Sequence, residues 1–302
     1  MIGASMAAYA HGGPPAAGGA RVVNPGVERH RGPDLKSNVA LVIDAERGET
    51  LYAKRSALVA PIASITKLMT AMVVLDAQLP LDEPIEIDRA DVDTRKHTRS
   101  RLPVGAQLGR GELLVLALMA SENRAATALA RTYPGGTAAC LEAMNRKANE
   151  LRMLRSRFTD PAGLSGENVS SAEDLSRMVL AAAGYPAIRE ATTRSFHSVT
   201  LADGRVLEFR NSDGLVNNKT WTIGLSKTGY INEAGRCLVL QAEIAARQIV
   251  IVLLNSWGKY TRLGDANRIR KWMEAAVPRP GTVGETIPRA EPARAEGGRS
   301  RP

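Results

Sequence analysis

The sequence of 302 residues predicts a mixed α/β fold of the α+β type, with one mainly antiparallel sheet and an inserted helical subdomain. Short apolar runs typical of strands lie between residues 38 and 56 and again after about residue 190. Between them, residues 61 to about 184 show mostly the apolar spacing of helices. The sheet is therefore expected to combine both ends of the chain, with a site between it and the helices.

The first strands follow a segment without periodicity. Residues 1 to 35 are rich in Gly, Ala, Pro and Arg and are interpreted as a disordered leader, or as the remnant of a signal peptide. The stretch Ala8-Tyr9-Ala10 has the form of a cleavage site, but no apolar segment of about 7 to 15 residues precedes it. The stretch "NVALVIDAERGETLYAKRS" then predicts two strands around a turn that contains glycine.

The middle of the chain predicts a series of helices. "GELLVLALMA", "RAATALARTY" and "TAACLEAMNRKANEL" carry apolar faces and are separated by Gly and Pro. The pair Ser171 and Asp174 has the Ser-x-x-acid form of a helix cap before "LSRMVLAAA". One domain is expected over residues 36–277, with the helical subdomain at about 61–184.

The end of the chain returns to strands. "WTIGLSKTGY", "RCLVLQAEIAA" and "QIVIVLLNS" predict a meander, and an amphipathic helix is expected from about 260 to 277. Residues 278–302 are mainly Pro, Gly, Arg and Glu, so a disordered tail is expected.

The composition indicates a folded protein with a basic surface. Hydrophobic residues make up 44% and charged residues 24% of the chain, and the formal net charge is +9. This charge favours a polyanionic partner, which could be nucleic acid, anionic lipid or a bacterial wall polymer. Nucleic acid is disfavoured, because the 40 Lys and Arg residues are scattered and only 4% of residues are aromatic. No run approaches the roughly 18 to 20 apolar residues that span a bilayer, so no integral membrane anchor is expected.

The histidines and cysteines do not indicate a metal site. The four histidines form no i, i+4 pair and no cluster with cysteine, so neither a metal nor another cofactor is expected. Cys140 lies in a helical pattern and Cys237 in an apolar strand, and both resemble small buried hydrophobic residues. Whether they pair is left open, since spacing alone cannot place their Cα atoms within reach.

A serine and a lysine stand together in "PIASITKLMTAMVVL". Pro61 favours a helix start, and Ser64 and Lys67 are three residues apart, so their side chains share one helix face. Taken alone, the pair is explained by a serine near a helix N-terminus and a solvated lysine.

Two further polar stretches recur at element boundaries. Ser121 and Asn123 lie at a break between two apolar helices, where they could simply cap the second helix. Lys227, Thr228 and Gly229 lie in an apolar strand, where a lysine could protect a sheet edge. Each of these simple explanations is credible for one stretch alone. They are less convincing together, because all three stretches occur in the expected order along the chain and each lies in its expected structural context.

Together the three stretches resemble the Ser-x-x-Lys, Ser-x-Asn and Lys-Thr-Gly motifs of penicillin-binding proteins and serine β-lactamases. The wider stretches "APIASITKLMTAMVVLDAQLPLDE", "LVLALMASENRAATALARTYPGG" and "LSKTGYINEAGRCLVL" resemble the D-alanyl-D-alanine endopeptidases, the type-seven low-molecular-mass penicillin-binding proteins. These belong to the D-alanyl-D-alanine carboxypeptidase family, and the resemblance covers about residues 36–276. It implies a transpeptidase fold of the penicillin-binding-protein and β-lactamase type. It also implies a periplasmic enzyme that acts on peptidoglycan stems and crosslinks and is inhibited by β-lactams.

The resemblance assigns catalytic roles to three residues. Ser64 would form the acyl-enzyme, Lys67 would be its general base, and Ser121 would relay a proton to the leaving amine. Lysine can act as a base only when it is neutral, so its pKa must fall well below its usual value of about 10.4. Burial and the nearby cation Lys227 are both expected to lower it.

Five residues are assigned to substrate binding by the same resemblance. Asn123 would hold the substrate amide and Lys67, and Lys227 and Thr228 would bind the substrate carboxylate. Gly229 would let the strand approach the substrate backbone closely. The backbone N–H groups of Tyr230 and of the nucleophile would form the oxyanion hole.

Three alternatives remain beside the endopeptidase. Carboxypeptidases of the family usually continue into a second domain and an amphipathic anchor helix, whereas residues 278–302 hold almost no bulky apolar residues. This favours an endopeptidase, with a carboxypeptidase that trims pentapeptide stems as the alternative. A class A β-lactamase needs a deacylating glutamate, but Glu167 in the loop at 157–175 is followed directly by Asn168 and lacks the expected spacing. A non-catalytic wall-binding protein is disfavoured because no motif residue is missing.

Overall fold

The computed structural model describes residues 32–275. The leader predicted at residues 1–35 lies outside the described residues up to residue 31, and the tail predicted from residue 278 lies outside them entirely. Residues 32–35 are described, and Leu35 is buried in a hydrophobic core. No helix among those described is long and apolar enough to cross a membrane.

The described residues form eleven strands, namely β1 Val39–Asp44, β2 Thr50–Lys54, β3 Ala60–Pro61, β4 Pro84–Glu86, β5 Gln107–Gly109, β6 Val169–Ser170, β7 Phe196–Thr200, β8 Val206–Arg210, β9 Thr222–Ile231, β10 Gly235–Ile244 and β11 Arg247–Ser256. Five of them form a central antiparallel sheet in the order β2-β1-β11-β10-β9. Its members come from the two ends of the described chain, which confirms the predicted fold class. The predicted meander is present as β9-β10-β11, and it places β9, which carries the Lys-Thr-Gly stretch, at the edge of the sheet.

Seven α-helices accompany the sheet in the described residues. They are α1 Thr66–Asp76, α2 Arg110–Val115, α3 Asn123–Arg131, α4 Gly136–Glu150, α5 Ala172–Ala182, α6 Pro186–Thr193 and α7 Thr261–Ala275. Helix α5 packs against the central strands, with α1 behind it, and α7 packs against β10 and β11. The Ser171 side chain accepts a hydrogen bond from the Asp174 N–H, so the predicted cap of α5 is confirmed.

The alternation of side chains along the strands separates two hydrophobic cores. In β1, Val39 and Leu41 face the helical side, whereas Ala40 and Val42 face the α7 side. Strand β11 repeats this pattern, with six consecutive apolar residues buried on both faces. The sheet is thus covered by helices on both faces, and its edge strand β9 lies beside the helical part, with most of its residues buried.

The predicted helix start at Pro61 is wrong. Pro61 lies in β3, which pairs with β6 across more than a hundred residues of chain, and a single 3₁₀ turn at Ala63–Ile65 follows before α1 begins at Thr66. The sequence around Pro61 carries only local information, whereas this short pairing is set by tertiary structure. Ser64 therefore lies in the 3₁₀ turn just before the α-helix.

Candidate active site

The sharp turn before α1 positions Ser64. Ala63 has a left-handed backbone with φ 49°, which is uncommon for a residue with a side chain. Its carbonyl packs so tightly against Gly163 that a Cβ at Gly163 would lie 2.0 Å from that oxygen. Such strain persists only where the surroundings fix it, and it is frequent at active sites.

Lys67 reaches Ser64 from the first turn of α1. The Lys67 Nζ lies 2.9 Å from the Ser64 Oγ, 2.7 Å from the Asn123 Oδ1 and 2.6 Å from the carbonyl oxygen of Ala162. The lysine side chain is only 1% exposed. The Asn123 amide oxygen and the Ala162 carbonyl oxygen can only accept hydrogen bonds. They therefore accept from the two N–H groups of a neutral lysine amine, and the lone pair of that amine is left to receive the Ser64 proton.

Burial lowers the pKa of Lys67 to about 8. The carboxylates of Asp160, Glu122 and Asp93 act in the opposite direction and raise it. Of the two expected influences, burial lowers the pKa of Lys67, whereas the repulsion between the two buried amines acts on Lys227. Burial first and the Lys67 charge second lower the pKa of Lys227 well below its ordinary value.

Lys227 connects the sheet to the helical part through Ser121. Its Nζ donates to the Ser121 Oγ at 2.9 Å and to the Thr228 carbonyl at 3.1 Å. Ser121 has φ 61° and ends a π-helical turn at Leu116–Ala120, so its side chain stands at the break between two helices. Such π turns frequently mark functional sites.

Asn123 lies at the start of α3 and is held on both sides. Its Oδ1 accepts from Lys67, and its Nδ2 donates to the Thr98 Oγ1 at 2.9 Å. The loop that carries Thr98 is organised by Asp93, which accepts hydrogen bonds from the N–H groups of Lys96 and Thr98 among others. Lys96 also forms an ion pair with Glu233, in the turn after β9, so this loop contacts the sheet edge.

Thr228 contributes a hydroxyl group to the site, and Gly229 allows a close approach of two backbone segments. The Thr228 hydroxyl donates to the Ser212 Oγ at 2.8 Å. A Cβ at Gly229 would lie 2.8 Å from the Ile62 carbonyl oxygen and 3.2 Å from the Ser64 nitrogen. Glycine is thus required for close approach of β9 to the segment that carries the serine, whereas the sequence suggested close approach to the substrate. The next residue along β9 is Tyr230, whose side chain is half exposed.

A loop that the sequence did not reveal supplies one of the hydrogen-bond acceptors around Lys67. The Asp160 carboxylate accepts from the backbone N–H groups of residues 162–165 at 2.6–3.1 Å. Asn168 fixes the same loop, because its Oδ1 accepts from Thr159 and its Nδ2 donates to the Asp160 carbonyl. The loop thereby points the Ala162 carbonyl at the lysine. A backbone carbonyl leaves no signal in the amino-acid letters, although Asp-Pro-x-Gly is a composition typical of a turn.

Arg262 is the second residue that the sequence did not reveal. It is nine-tenths buried at the start of α7, and among the described residues its Nε and Nη1 have no hydrogen-bond partner. Burial lowers the pKa of its guanidinium, while Asp213 raises it. Its charge also lowers the pKa of Lys227. Buried guanidinium N–H groups without a protein acceptor suit an anionic group of a ligand.

The loop that points the Ala162 carbonyl at Lys67 carries two acidic side chains, Asp160 and Glu167. Glu167 is exposed, and the Asp160 carboxylate is fully used by its own loop. Neither is placed to activate a water as a deacylating base. No group of three His, Cys, Asp or Glu side chains between residues 32 and 275 could hold a metal. Cys140 and Cys237 are both buried and free, and burial raises the pKa of their thiols to about 12 and about 11.

The chain is similar to a known family of peptidases and to two endopeptidases. Residues 27–258 match the D-alanyl-D-alanine carboxypeptidase family of peptidases. A D-alanyl-D-alanine endopeptidase of Pseudomonas aeruginosa is 48% identical over 80% of this chain and 78% of its own length. A D-alanyl-D-alanine endopeptidase of Escherichia coli is 44% identical over the same shares.

Solved structures show the same architecture. A Streptomyces DD-transpeptidase matches with a TM-score of 0.75 and 26% identity, over 81% of this chain and 99% of that protein. A D-alanyl-D-alanine carboxypeptidase from Mycobacterium tuberculosis matches with a TM-score of 0.74 and 28% identity, over 82% and 95% of the two chains.

Proposed function

The chain belongs to the D-alanyl-D-alanine carboxypeptidase family of serine peptidases, and we propose that it cleaves the D-alanyl to meso-diaminopimelate crosslinks of peptidoglycan. The observation that carries the chemistry is the contact of Ser64 with a buried lysine whose two other partners can only accept hydrogen bonds. The choice of an endopeptidase rests on the two relatives of that name, at 48% and 44% identity.

The reaction begins when the substrate carboxylate binds beside Lys227. The carboxylate accepts from the Thr228 hydroxyl and from the buried guanidinium of Arg262. Its negative charge stabilises the protonated form of Lys227, and that cation in turn favours neutral Lys67. Substrate binding therefore prepares the base for the step that follows.

Acylation then proceeds through Ser64. Lys67 takes the hydroxyl proton, and the serine oxygen attacks the carbonyl carbon of the D-alanyl residue. The oxyanion accepts hydrogen bonds from the backbone N–H groups of Ser64 and Tyr230. The proton taken up by Lys67 returns through Ser121 to the leaving nitrogen, the C–N bond breaks, and the acyl group stays on the serine as an ester. Lys67, neutral again, then takes a proton from water, whose oxygen attacks the ester carbonyl, and the lysine returns that proton to the Ser64 oxygen as the ester bond breaks.

The same carboxylate subsite suits two bonds. In a pentapeptide the leaving group is D-alanine, and in the crosslink it is the D-centre of diaminopimelate, which also carries a carboxylate next to its nitrogen. A carboxypeptidase that releases terminal D-alanine is therefore the second candidate, and relatives of 31% and 29% identity bear that name. A β-lactam presents a carboxylate and a strained amide to the same groups, so we expect it to acylate Ser64. A peptidoglycan substrate places the enzyme in the periplasm.

Digestion of purified crosslinked muropeptide dimers, followed by chromatography, tests the proposal. Monomers with intact stems should accumulate, and release of free D-alanine from pentapeptides should be slower. Ser64→Ala is the control, and it should abolish both cleavage and the single covalent adduct seen by mass spectrometry with penicillin. Dimers that persist while D-alanine appears would establish the carboxypeptidase instead, and an adduct on Ser64→Ala would refute the nucleophile.

A further inference from the structure

A groove of about 350 Å³ opens beside Tyr230, on the face of the sheet that α7 covers. We call it the Tyr230 groove, and it is lined by the turn after β9 and the segment after β11. The lining residues used below are Tyr230, Asn232, Arg236, Trp257 and Lys259. None of the proposed catalytic steps uses the side chains of this groove.

The groove carries positive charge without a local counter-charge. The Arg236 guanidinium lies 4.6 Å from the centre of the Tyr230 ring, which holds it in place by a cation–π contact. Within residues 32–275, Arg236 and Lys259 form no ion pair, and the groove lining contains no acidic residue. The adjacent Glu233 is paired with Lys96. A half-buried arginine in this state suits a carboxylate, which it can bind with two parallel hydrogen bonds.

The groove also exposes large aromatic surfaces. Trp257 is 82% exposed and Tyr230 is 52% exposed, and Tyr260 follows at 66%. Exposed aromatic residues next to an arginine are the composition expected of a binding surface rather than of an ordinary solvated face.

The position of the groove relative to β9 determines which part of a substrate reaches it. A peptide whose carboxylate lies at Thr228 and whose scissile carbonyl lies at the Tyr230 N–H runs antiparallel to β9. Its leaving residue lies towards Thr228, so its acyl side continues past Tyr230 towards Asn232. The ion pair of Lys96 and Glu233 joins the loop that carries Thr98 to the turn after β9, at this end of the strand edge. The acyl side then turns onto the sheet face where Arg236 lies.

We propose that the Tyr230 groove binds the acyl-side peptide stem of the crosslink. Arg236 binds a stem carboxylate, and Trp257 packs against the aliphatic part of the stem. This inference rests on the proposed function, since it assigns a subsite of the same reaction. It predicts that the enzyme recognises the stem that it acylates and not only the dipeptide at the bond.

The test uses three synthetic dimers, namely one complete, one trimmed to acetyl-D-alanine on the acyl side, and one trimmed on the leaving side. The wild-type enzyme should cleave the complete dimer with a kcat/KM at least tenfold above that of the acyl-trimmed dimer. Arg236→Gln should reduce this ratio to below threefold, and Trp257→Ala should lower it as well. The ratio between complete and leaving-trimmed dimers should stay unchanged in both variants.

Two controls separate folding and catalysis from recognition. Penicillin lacks the stem, so its acylation rate should stay within about twofold in both variants. Arg270→Gln is the matched control, because Arg270 also stacks on an aromatic ring, that of Trp221 at 5.3 Å, but lies on α7 and outside the Tyr230 groove. This variant should keep the wild-type ratio between complete and acyl-trimmed dimers. The inference is refuted if Arg236→Gln retains the wild-type ratio, or if the loss follows the leaving-side stem. It is also refuted if the wild-type enzyme reacts with penicillin yet shows no acyl-side preference, a result that leaves the proposed function intact.

Discussion

At the scale of single residues, the chemistry depends on the protonation of Lys67. Three acceptors surround its nitrogen, and one of them, Ser64, is the proposed proton source. Burial makes the neutral amine accessible near neutral pH, while the nearby carboxylates keep the pKa from falling further. The lysine is thus a usable base under physiological conditions, which an exposed lysine would not be.

The pKa of about 8 for Lys67 predicts the pH profile of acylation. Only the neutral amine accepts the serine proton, so the rate should rise as pH rises towards 8. Below that pH each unit lost should slow acylation by about tenfold, because the neutral fraction falls tenfold. The second-order rate of acylation by penicillin, measured from pH 5 to 9, checks this.

Lys67→Arg provides the matching control, because it keeps the charge but cannot lose its proton usefully. It should be nearly inactive at every pH in this range. Rapid acylation by that variant, or a flat wild-type profile, would show that another group takes the proton.

At the scale of elements, the site is assembled by backbone segments that approach each other closely. Strand β9, the 3₁₀ turn at Ala63–Ile65 and the loop around Asp160 meet at Ser64, and glycines stand at the contacts. The two glycine contacts involve main-chain atoms, which cannot move aside as a flexible side chain can.

Gly229→Ala should separate β9 from the nucleophile. Its Cβ would lie 2.8 Å from the Ile62 carbonyl oxygen, so the strand must shift, and the proposed oxyanion donor at Tyr230 shifts with it. A displacement of this kind should slow acylation by penicillin at least tenfold. Gly224→Ala, on the same strand, is the control, because its Cβ would meet only atoms of Gln241, at ordinary van der Waals distances of 3.6–3.8 Å. Equal rates for the two variants would contradict this account of β9.

Asp160→Asn should weaken the loop that holds the Ala162 carbonyl. An amide keeps one acceptor oxygen but turns an N–H donor towards backbone N–H groups, so the free energy of unfolding should fall by about 2–3 kcal/mol. Since the Asp160 charge raises the pKa of Lys67, its loss should also move the midpoint of the acylation profile to lower pH.

Denaturant unfolding and the pH profile measure these two effects separately. Glu167→Gln is the matched acid-to-amide change in the same loop. That side chain is exposed and makes no hydrogen bond within the described part of the chain, so both quantities should stay at wild-type values. If Asp160→Asn leaves the pH profile of acylation unchanged, the Asp160 charge does not influence the pKa of Lys67.

The sequence predicted the fold class and the three motifs because side-chain chemistry and apolar periodicity are written in single letters. It did not predict the Ala162 acceptor, which is a backbone atom, or Arg262, which has no local motif around it. It misplaced the start of α1 because β3 and β6 pair over only two residues from distant parts of the chain. These three features depend on contacts between distant parts of the chain, which a local sequence pattern does not contain.

At the scale of the whole molecule, the positive net charge should strengthen binding to the peptidoglycan sacculus. The chain carries a formal net charge of +9, and a peptidoglycan sacculus presents many stem carboxylates. Attraction between exposed charges is screened by salt, since the Debye length falls from about 10 Å at 0.1 M to about 3 Å at 1 M. Contacts inside the site, around buried Lys67 and Arg262, are screened far less.

Salt should therefore slow the reaction with the wall more than the reaction with a small inhibitor. Raising KCl from 0.1 to 1 M should reduce the initial rate of crosslink cleavage in purified sacculi at least fivefold, because fewer enzyme molecules are held at the polymer. Acylation by penicillin, which carries one charge, should change by less than about twofold. Sedimentation of the Ser64→Ala variant with sacculi measures binding without turnover and should show the same salt dependence. If sacculus binding does not respond to salt, the basic surface has no part in the approach to the wall, and the close contacts of the site alone hold the substrate.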